Sequence, residues 1–234
     1  MSTAPATLQR PTSSAHASSS TATARPQVRA SSSAIIPDTT TFQGTFPISI
    51  GAGTAIHPRV KIYSFDGPVL IGEGCIIGEK SIIGAPSVPE GMPPKQSVRD
   101  SSSAERPARH TVVENFVNVG PLCTISSGVY IRYCTTIEAS AYLGANVRVG
   151  KHSKVCPNCK VPDGRSVGEW SVVWGGPGSL RSRKRASGDG PRESSGKSAG
   201  LGGRAVEDGR LIVLNKEREI VRKLMAANLS ARKK

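Results

Sequence analysis

Residues 113–155 read VENFVNVGPLCTISSGVYIRYCTTIEASAYLGANVRVGKHSKV. Every sixth residue of this stretch is aliphatic: Val113, Val119, Ile125, Ile131, Ile137, Leu143, Val149 and Val155. The count continues through Val161, Val167 and Val173, giving eleven positions without a break. The same spacing occurs upstream in Ile50, Ile56 and Ile62, and again in Ile71, Ile77 and Ile83, the second run shifted by three residues across Ser64–Pro68. From Ile83 to Val113 is 30 residues, a multiple of six, so whatever lies between leaves the phase intact. A fixed period of this length signals a repeat architecture and fits neither a helix nor an ordinary amphipathic strand.

The rest of the hexad explains the period. With the aliphatic residue as position one, position five is small or apolar: Cys75, Ser81, Val117, Cys123, Val129, Thr135, Ala141, Val147, Ser153, Cys159 and Ser171. Positions five and one are two apart, so a short strand turns both to one face. Position six lies between them and points outward, as at Asn118, Thr124, Tyr130, Thr136, Tyr142, Arg148, Lys154 and Lys160. Positions two to four make a corner. Gly recurs at position two and Gly or Asn at position four, residues that tolerate positive φ. Three hexads close a triangular coil, and stacked coils bury the aliphatic column. The prediction is an all-β solenoid, a left-handed parallel β-helix of hexapeptide repeats with five to six coils, followed by a C-terminal α-helix.

Composition agrees with a core built from Ile, Val and Ala: aromatics are only 4% of the 234 residues. The net charge of +14 sits mostly in residues 170–234, which hold 15 basic and 6 acidic residues. The repeat region is nearly neutral, which argues against a nucleic-acid-binding face on it. No apolar run is long enough for a bilayer span, and no secretory h-region stands near the N-terminus. Five cysteines, an odd number, suit reduced thiols.

The chain is expected to divide into four parts. Residues 1–45 form a disordered Ser/Thr/Ala-rich tail. Its acid-free, Arg-containing start has the composition of a mitochondrial transit peptide, but Pro5, Pro11 and Pro26 and the lack of an apolar helical face argue against that. Residues 46–175 form the β-helix, with 84–111 ejected as a loop. Residues 176–205, including RSRKR at 181–185, read as a solvated Gly/Ser/Arg linker. Residues 206–234 hold a helix whose apolar stripe, Leu214, Val221, Leu224, Met225 and Leu229, has to cover a flank of the β-helix or a partner. Ile76 and Ile82, at outward position six, are the nearest apolar sites for it.

β-Helices of this class resemble two enzyme groups: acyltransferases, which use a His general base, and γ-class carbonic anhydrases, which hold zinc on three His. Here His16 and His110 fall in the tail and loop, and His57 and His152 at solvent-facing corners. No two lie within 40 residues of each other, so the paired spacing of a zinc site is absent. The first coil, PISIGAG at 47–53, also lacks the charged cluster of the anhydrases. Cys156 and Cys159 make a C-x-x-C, but in register Cys159 is position five and faces the core, whereas Cys156 faces outward. Their sulfurs point to opposite sides of the wall, and no second C-x-x-C completes four ligands. Cys75 and Cys123 read as packing residues and Cys134 as an outer corner. No catalytic, metal or cofactor residue is assigned.

The segment TAIHPRVKIYSFDGPVLIGEGCIIGE (54–79) resembles the first coils of the β-helix subunits of dynactin. VVENFVNVG (112–120), IEASAYLGANVRVG (137–150) and VPDG (161–164) resemble later parts of that family's repeat, and a C-terminal helix also fits. The tail 1–34 and the linker 175–205 depart from it. The resemblance implies a non-catalytic structural or adaptor subunit of the pointed-end complex, in the cytoplasm and cytoskeleton. Its implied partners are the second β-helix subunit, the pointed-end actin-related protein and, indirectly, dynein. No cofactor, nucleic acid, small-molecule substrate or membrane insertion is implied. The alternative is a hexapeptide-repeat enzyme of one of the two groups above. Candidate interface residues are outward Tyr130 and Arg148, one coil apart on one face; Tyr142, between Thr124 and Lys160 on another; Trp170 and Trp174 near the last coil; and Ile76 and Ile82.

Overall fold

The computed structural model describes residues 25–86, 109–176, 178–185 and 203–231. Residues 1–24 and 87–108, and with them most of the expected tail and loop, lie outside the described residues, as does the side chain of Leu229.

The hexads fold as a parallel β-solenoid of about six coils. In chain order the strands are β1 (Val28–Ala30), β2 (Thr41–Gly44), β3 (Ile48–Ile50), β4 (Ala55–Ile56), β5 (Lys61–Ser64), β6 (Val69–Ile71), β7 (Ile76–Ile77) and β8 (Ile82–Ala85). After the outlying segment come β9 (Thr111–Val113), β10 (Asn118–Val119), β11 (Thr124–Ser126), β12 (Tyr130–Ile131), β13 (Thr136–Ile137) and β14 (Tyr142–Leu143). The last coils hold β15 (Arg148–Val149), β16 (Lys154–Val155), β17 (Lys160–Val161), β18 (Ser166–Val167) and β19 (Ser171–Trp174), then β20 (Arg181–Lys184) and helix α1 (Gly203–Ala231). They stack in three sheets: β1-β3-β6-β9-β12-β15-β18 (sheet A), β4-β7-β10-β13-β16-β19-β20 (sheet B) and β2-β5-β8-β11-β14-β17 (sheet C). Neighbouring strands pair in parallel except β19 with β20. All seventeen residues of the aliphatic column are buried in one continuous core. Each fully buried Ile or Val contributes about 1.5–3 kcal/mol relative to exposure.

Two features of the wall go beyond the hexad count. Buried position-five hydroxyls join successive coils. Thr54 Oγ1 donates to Gly72 O at 2.7 Å, Ser81 Oγ to Gly120 O at 2.8 Å, Thr135 Oγ1 to Gly150 O at 2.9 Å and Ser153 Oγ to Gly168 O at 2.7 Å. Cys75 and Cys123 do the same with thiols, at 3.1 Å to Glu114 O and 3.0 Å to Glu138 O. They therefore bond across coils as well as pack. Burial pushes both thiols up to about 11. At the corners, position four has positive φ even where it is bulky: Arg59, Phe116, Cys134, His152 and Trp170 all do. Such a residue costs on the order of 1–2 kcal/mol, which the ladder on both sides offsets. Position-two glycines other than Gly84 serve a different purpose from the one expected, since Gly51, Gly72, Gly78, Gly120, Gly144 and Gly150 lack positive φ. A Cβ on Gly78 would meet the Gly120 backbone at 2.4 Å, so this Gly lets the coils close up.

The boundaries differ from the expected ones in two places. The solenoid begins at Val28, inside the expected tail: β1 pairs with β3 and β2 with β5, and Ile36 and Phe42 pack on the core. The expected linker contains β20, which pairs antiparallel with β19 (Ser171↔Lys184, Trp174↔Arg181) while Leu180 packs on the core. The open edge of β19 supplies a backbone template, and β20 pairs with it although its side chains are charged. No helix among the described residues is long and apolar enough to cross a membrane.

Candidate interaction faces

A triangular solenoid has three outer walls, and here they differ. Helix α1 runs back along sheet B, opposite to the direction in which the coils are stacked. Leu214 lies by Thr136, Lys154 and Pro157, Val221 by His57 and Ile76, and Ala231 by Pro37 and Pro58. Ile76 is thereby only 7% exposed, although it points out of the coil. Ile82, on sheet C, has no such cover and is half-buried between Lys61 and Thr124.

The stripe that meets the solenoid is Leu214, Arg218, Val221 and Met225. Leu224, expected in it, is 60% exposed. Arg218 takes the central position and is only 6% exposed. Its Nη1 donates to Asn215 Oδ1 at 2.7 Å, its Nη2 donates to Phe116 O, and its guanidinium stands 5.4 Å from the centre of the Phe116 ring. The sequence reading missed this residue, because a charge inside an apolar stripe looks like part of the polar face. Between helix and wall runs a groove of about 570 Å³ near Pro37, His57, Pro58 and Met225. His57 was expected to face solvent but is half-buried there. Burial pulls its pKa below the usual histidine value, partly opposed by the Glu79 carboxylate.

Phe116 also begins an aromatic column up the corner between sheets A and B. Tyr133 stands edge-on to Phe116 at 5.7 Å, His152 edge-on to Tyr133 at 5.7 Å, and Trp170 stacks on His152 at 4.3 Å. Such contacts contribute about 0.5–1.5 kcal/mol each beyond their buried area. Trp170 is therefore a member of this column, half-buried, and His152 is sandwiched within it. Cys134, expected on the outside of this corner, is buried; its amide donates to Asn115 O of the preceding coil. Phe116, His152 and Trp170 of this column share position four of the hexad at multiples of eighteen residues, a signal in the sequence, whereas Tyr133 reaches it from position three.

Among the described residues, no helix covers sheets A and C. On sheet A the pairing aligns Leu70, Val112, Tyr130 and Arg148 in one row. Leu70 and Tyr130 are 39% and 38% exposed. Tyr130 Oη donates to Glu114 Oε1 at 2.6 Å, and that bond raises the phenol pKa. On sheet C, Tyr142 is exposed between Thr124 and Lys160. Trp174 is exposed beside Arg181 of β20. The structure thus places Tyr130 with Arg148, Tyr142 and Trp174 on three different surfaces. Cys159 is buried and Cys156 half-buried. Among the described residues, no group of three or more His, Cys, Asp or Glu side chains is placed to hold a metal ion.

Comparison with known proteins gives two kinds of likeness. No family model matches the chain. Dynactin subunit 6 of Xenopus tropicalis is 28% identical over 128 residues, which are 55% of this chain and 59% of that protein. Dynactin subunit 6 of Danio rerio is 29% identical over 128 residues, 55% and 61% of the two chains, and that of Nematostella vectensis is 28% identical over 131 residues, 55% and 64%. The chain thus spans about three-fifths of the length of the curated relatives it matches. Among solved structures, a hexapeptide transferase family protein of Anaplasma phagocytophilum superposes with a TM-score of 0.59 at 12% identity, covering 86% of this chain and 92% of that one. A Bacillus cereus protein described as an acetyltransferase superposes with a TM-score of 0.63 at 13% identity, covering 86% and 94%. At such low identity these two show the fold alone. The chain has the fold of the hexapeptide-repeat β-solenoids, and over about half of its length it is similar to dynactin subunit 6.

Proposed function

We propose that this chain is a non-catalytic, structural subunit of a dynactin assembly in the cytoplasm, working at the pointed end in support of dynein-driven transport. The likeness to dynactin subunit 6 in three animals is the observation that carries the reading. The form of the molecule supports it. The chain's own helix covers one wall, while the other two present rigid parallel ladders with exposed aromatic side chains. Exposed Tyr, Trp and Arg on a preordered surface are the residue types that anchor protein interfaces. Tyr130 with Arg148 on sheet A and Tyr142 on sheet C are the proposed contacts to a second β-helix subunit and to the actin-related protein. The two histidines nearest to any cleft have structural surroundings: His57 lies under α1 and His152 between Tyr133 and Trp170.

Purification of the tagged chain from its native cells, followed by sizing and identification of what accompanies it, tests this reading. Recovery in a very large assembly with actin-like subunits is the expected result. A free homotrimer that carries zinc, or that transfers an acetyl group from acetyl-coenzyme A, overturns it in favour of an enzyme like the fold neighbours.

A further inference from the structure

We infer that β20 is a docking edge for an acidic polypeptide segment, which binds in extended form as one more strand of sheet B. The inference rests on the last rung of the solenoid and does not depend on the dynactin reading.

Strand β20 is the terminal strand of its sheet. It is also fixed in place. Leu180 packs on the core before it. After it, the Arg185 amide donates to Trp170 O at 2.6 Å, and Arg185 Nη2 donates to His152 O at 2.9 Å. In an antiparallel pair, residues alternate between bonding to the partner strand and pointing away from it. The Arg185 amide points into β19, so Arg183 and Arg181 do as well. The N–H and C=O groups of Ser182 and Lys184 therefore face outward along a free edge. Two donors and two acceptors stand there without a partner among the described residues, already in strand geometry.

The side chains on this edge say what kind of strand it would take. Arg181, Arg183 and Lys184 are all exposed, and none has a hydrogen-bond or ion-pair partner among the described residues. Some cations elsewhere on the wall are matched, as in Arg132 with Glu114 and Glu169, and Lys154 with Glu138, whereas β20 brings three unmatched ones together within four residues. Arg181 and Arg183 project from the outer face, spaced by about 7 Å, the two-residue repeat of a strand. An incoming strand with acids at alternate positions has that same repeat. Exposed Trp174, directly across from Arg181, adds an apolar contact at one end. A nucleic-acid backbone would meet Arg181 and Arg183 but has no donor for the carbonyls of Ser182 and Lys184. An anionic membrane likewise leaves the open edge unpaired. A peptide satisfies charge and backbone together, which is the mode of strand addition. Because β20 is already ordered, little entropy is lost on its side of the contact.

The test uses the full-length chain and a fluorescein-labelled peptide of alternating Glu with Val or Thr, eight residues long. Binding is followed by anisotropy, and amide exchange at Ser182 and Lys184 by NMR or mass spectrometry. The inference expects saturable binding, slowing of exchange at those two amides by at least about tenfold, and loss of binding by at least about tenfold in R181Q/R183Q/K184Q. The same peptide with alternate backbone nitrogens methylated is expected not to bind, because its ladder donors are gone. That probe leaves the protein unaltered and guards against a variant that simply loses β20. Absence of binding overturns the inference, as does equal binding of the methylated peptide. Binding without protection of Ser182 and Lys184 also overturns it, as does tighter binding of a duplex DNA oligonucleotide or of phosphatidylserine vesicles.

Discussion

Replacing Arg218 by Ala should release helix α1 from the solenoid without unfolding the solenoid. The side chain is almost fully buried at the contact, so its interactions are poorly screened. Its removal leaves the Phe116 carbonyl without this donor and deletes the cation over the Phe116 ring. A hydrogen bond from a charged group contributes about 1.5–3 kcal/mol, and the cation–π contact about 0.5–1 kcal/mol. The docked state therefore loses roughly 2–4 kcal/mol, a shift of about thirty-fold to a thousand-fold toward the undocked helix. What remains is the burial of Met225 and the partial burial of Leu214 and Val221, a few kcal/mol in all. An undocked helix frays, since most helical stability in proteins comes from packing of one face. Hydrogen–deuterium exchange resolved along residues 211–228 is the assay. R218A should speed exchange there by at least about tenfold, while Ile131, Ile137 and Leu143 in the central coils keep their protection. R218K, which keeps the charge but not the planar fork, should fall between the two. If exchange of α1 in R218A stays within about twofold of the parent chain, Arg218 is not the anchor and the reasoning fails.

Three other outcomes can be measured directly. G78V puts a branched side chain where even a Cβ meets the Gly120 backbone at 2.4 Å; it should lower thermal stability by about 2 kcal/mol or more, read by calorimetry, and no change would show that the coils can part there at little cost. C123S should keep the bond to Glu138 O and fold normally, whereas C123A should lose about 1–2 kcal/mol in urea titration; equal stability of the two would mean the thiol only fills space. The pH response has two limbs. The raised thiols of Cys75 and Cys123 stabilise the fold in full below the unfolded thiol value of 9.0, and that contribution drains away as pH rises through about 11. The lowered pKa of His57 works the other way: its contribution is present above 6.5 and lost as pH falls through the depressed folded value. Exchange of α1 should therefore quicken at acid pH in the parent chain but not in H57Q, and an identical acid response in both would remove His57 from the contact.

The solenoid was legible because one column of side chains repeats with a period nothing else produces. Its limits were harder to see, for reasons peculiar to each end. The first coil does carry the column, in Ala30, Ile36 and Phe42, but a search for Ile, Leu and Val passes over an Ala and a Phe. At the other end β20 is held by its backbone, by Leu180 and by Arg185, so its RSRK sequence carries neither alternation nor apolar bias. The helix was legible as a helix, and its docking wall was named through Ile76. Its anchor was not, because burial of an Arg depends on a carbonyl and a ring about a hundred residues away in the chain. The outward residues are where the hexad phase puts them; phase alone cannot tell which wall the helix will occupy.

The path of α1 has a consequence for how this molecule can be attached to anything. The coils climb from β1 to β19, and the helix then descends the length of sheet B until Ala231 lies by Pro37 and Pro58. The polypeptide is thus shaped like a hairpin on the scale of the whole domain. Residue 25 and residue 231 leave from the same pole. Tension applied through both would load the seam between helix and wall before it reached the coils, so that the helix acts as a strap that gives way before the stack. The far pole is the one where β17, β18 and β20 lie. A tether that pulls on residue 25 or residue 231 therefore holds the molecule by one tip, with β17 and β18 at the other.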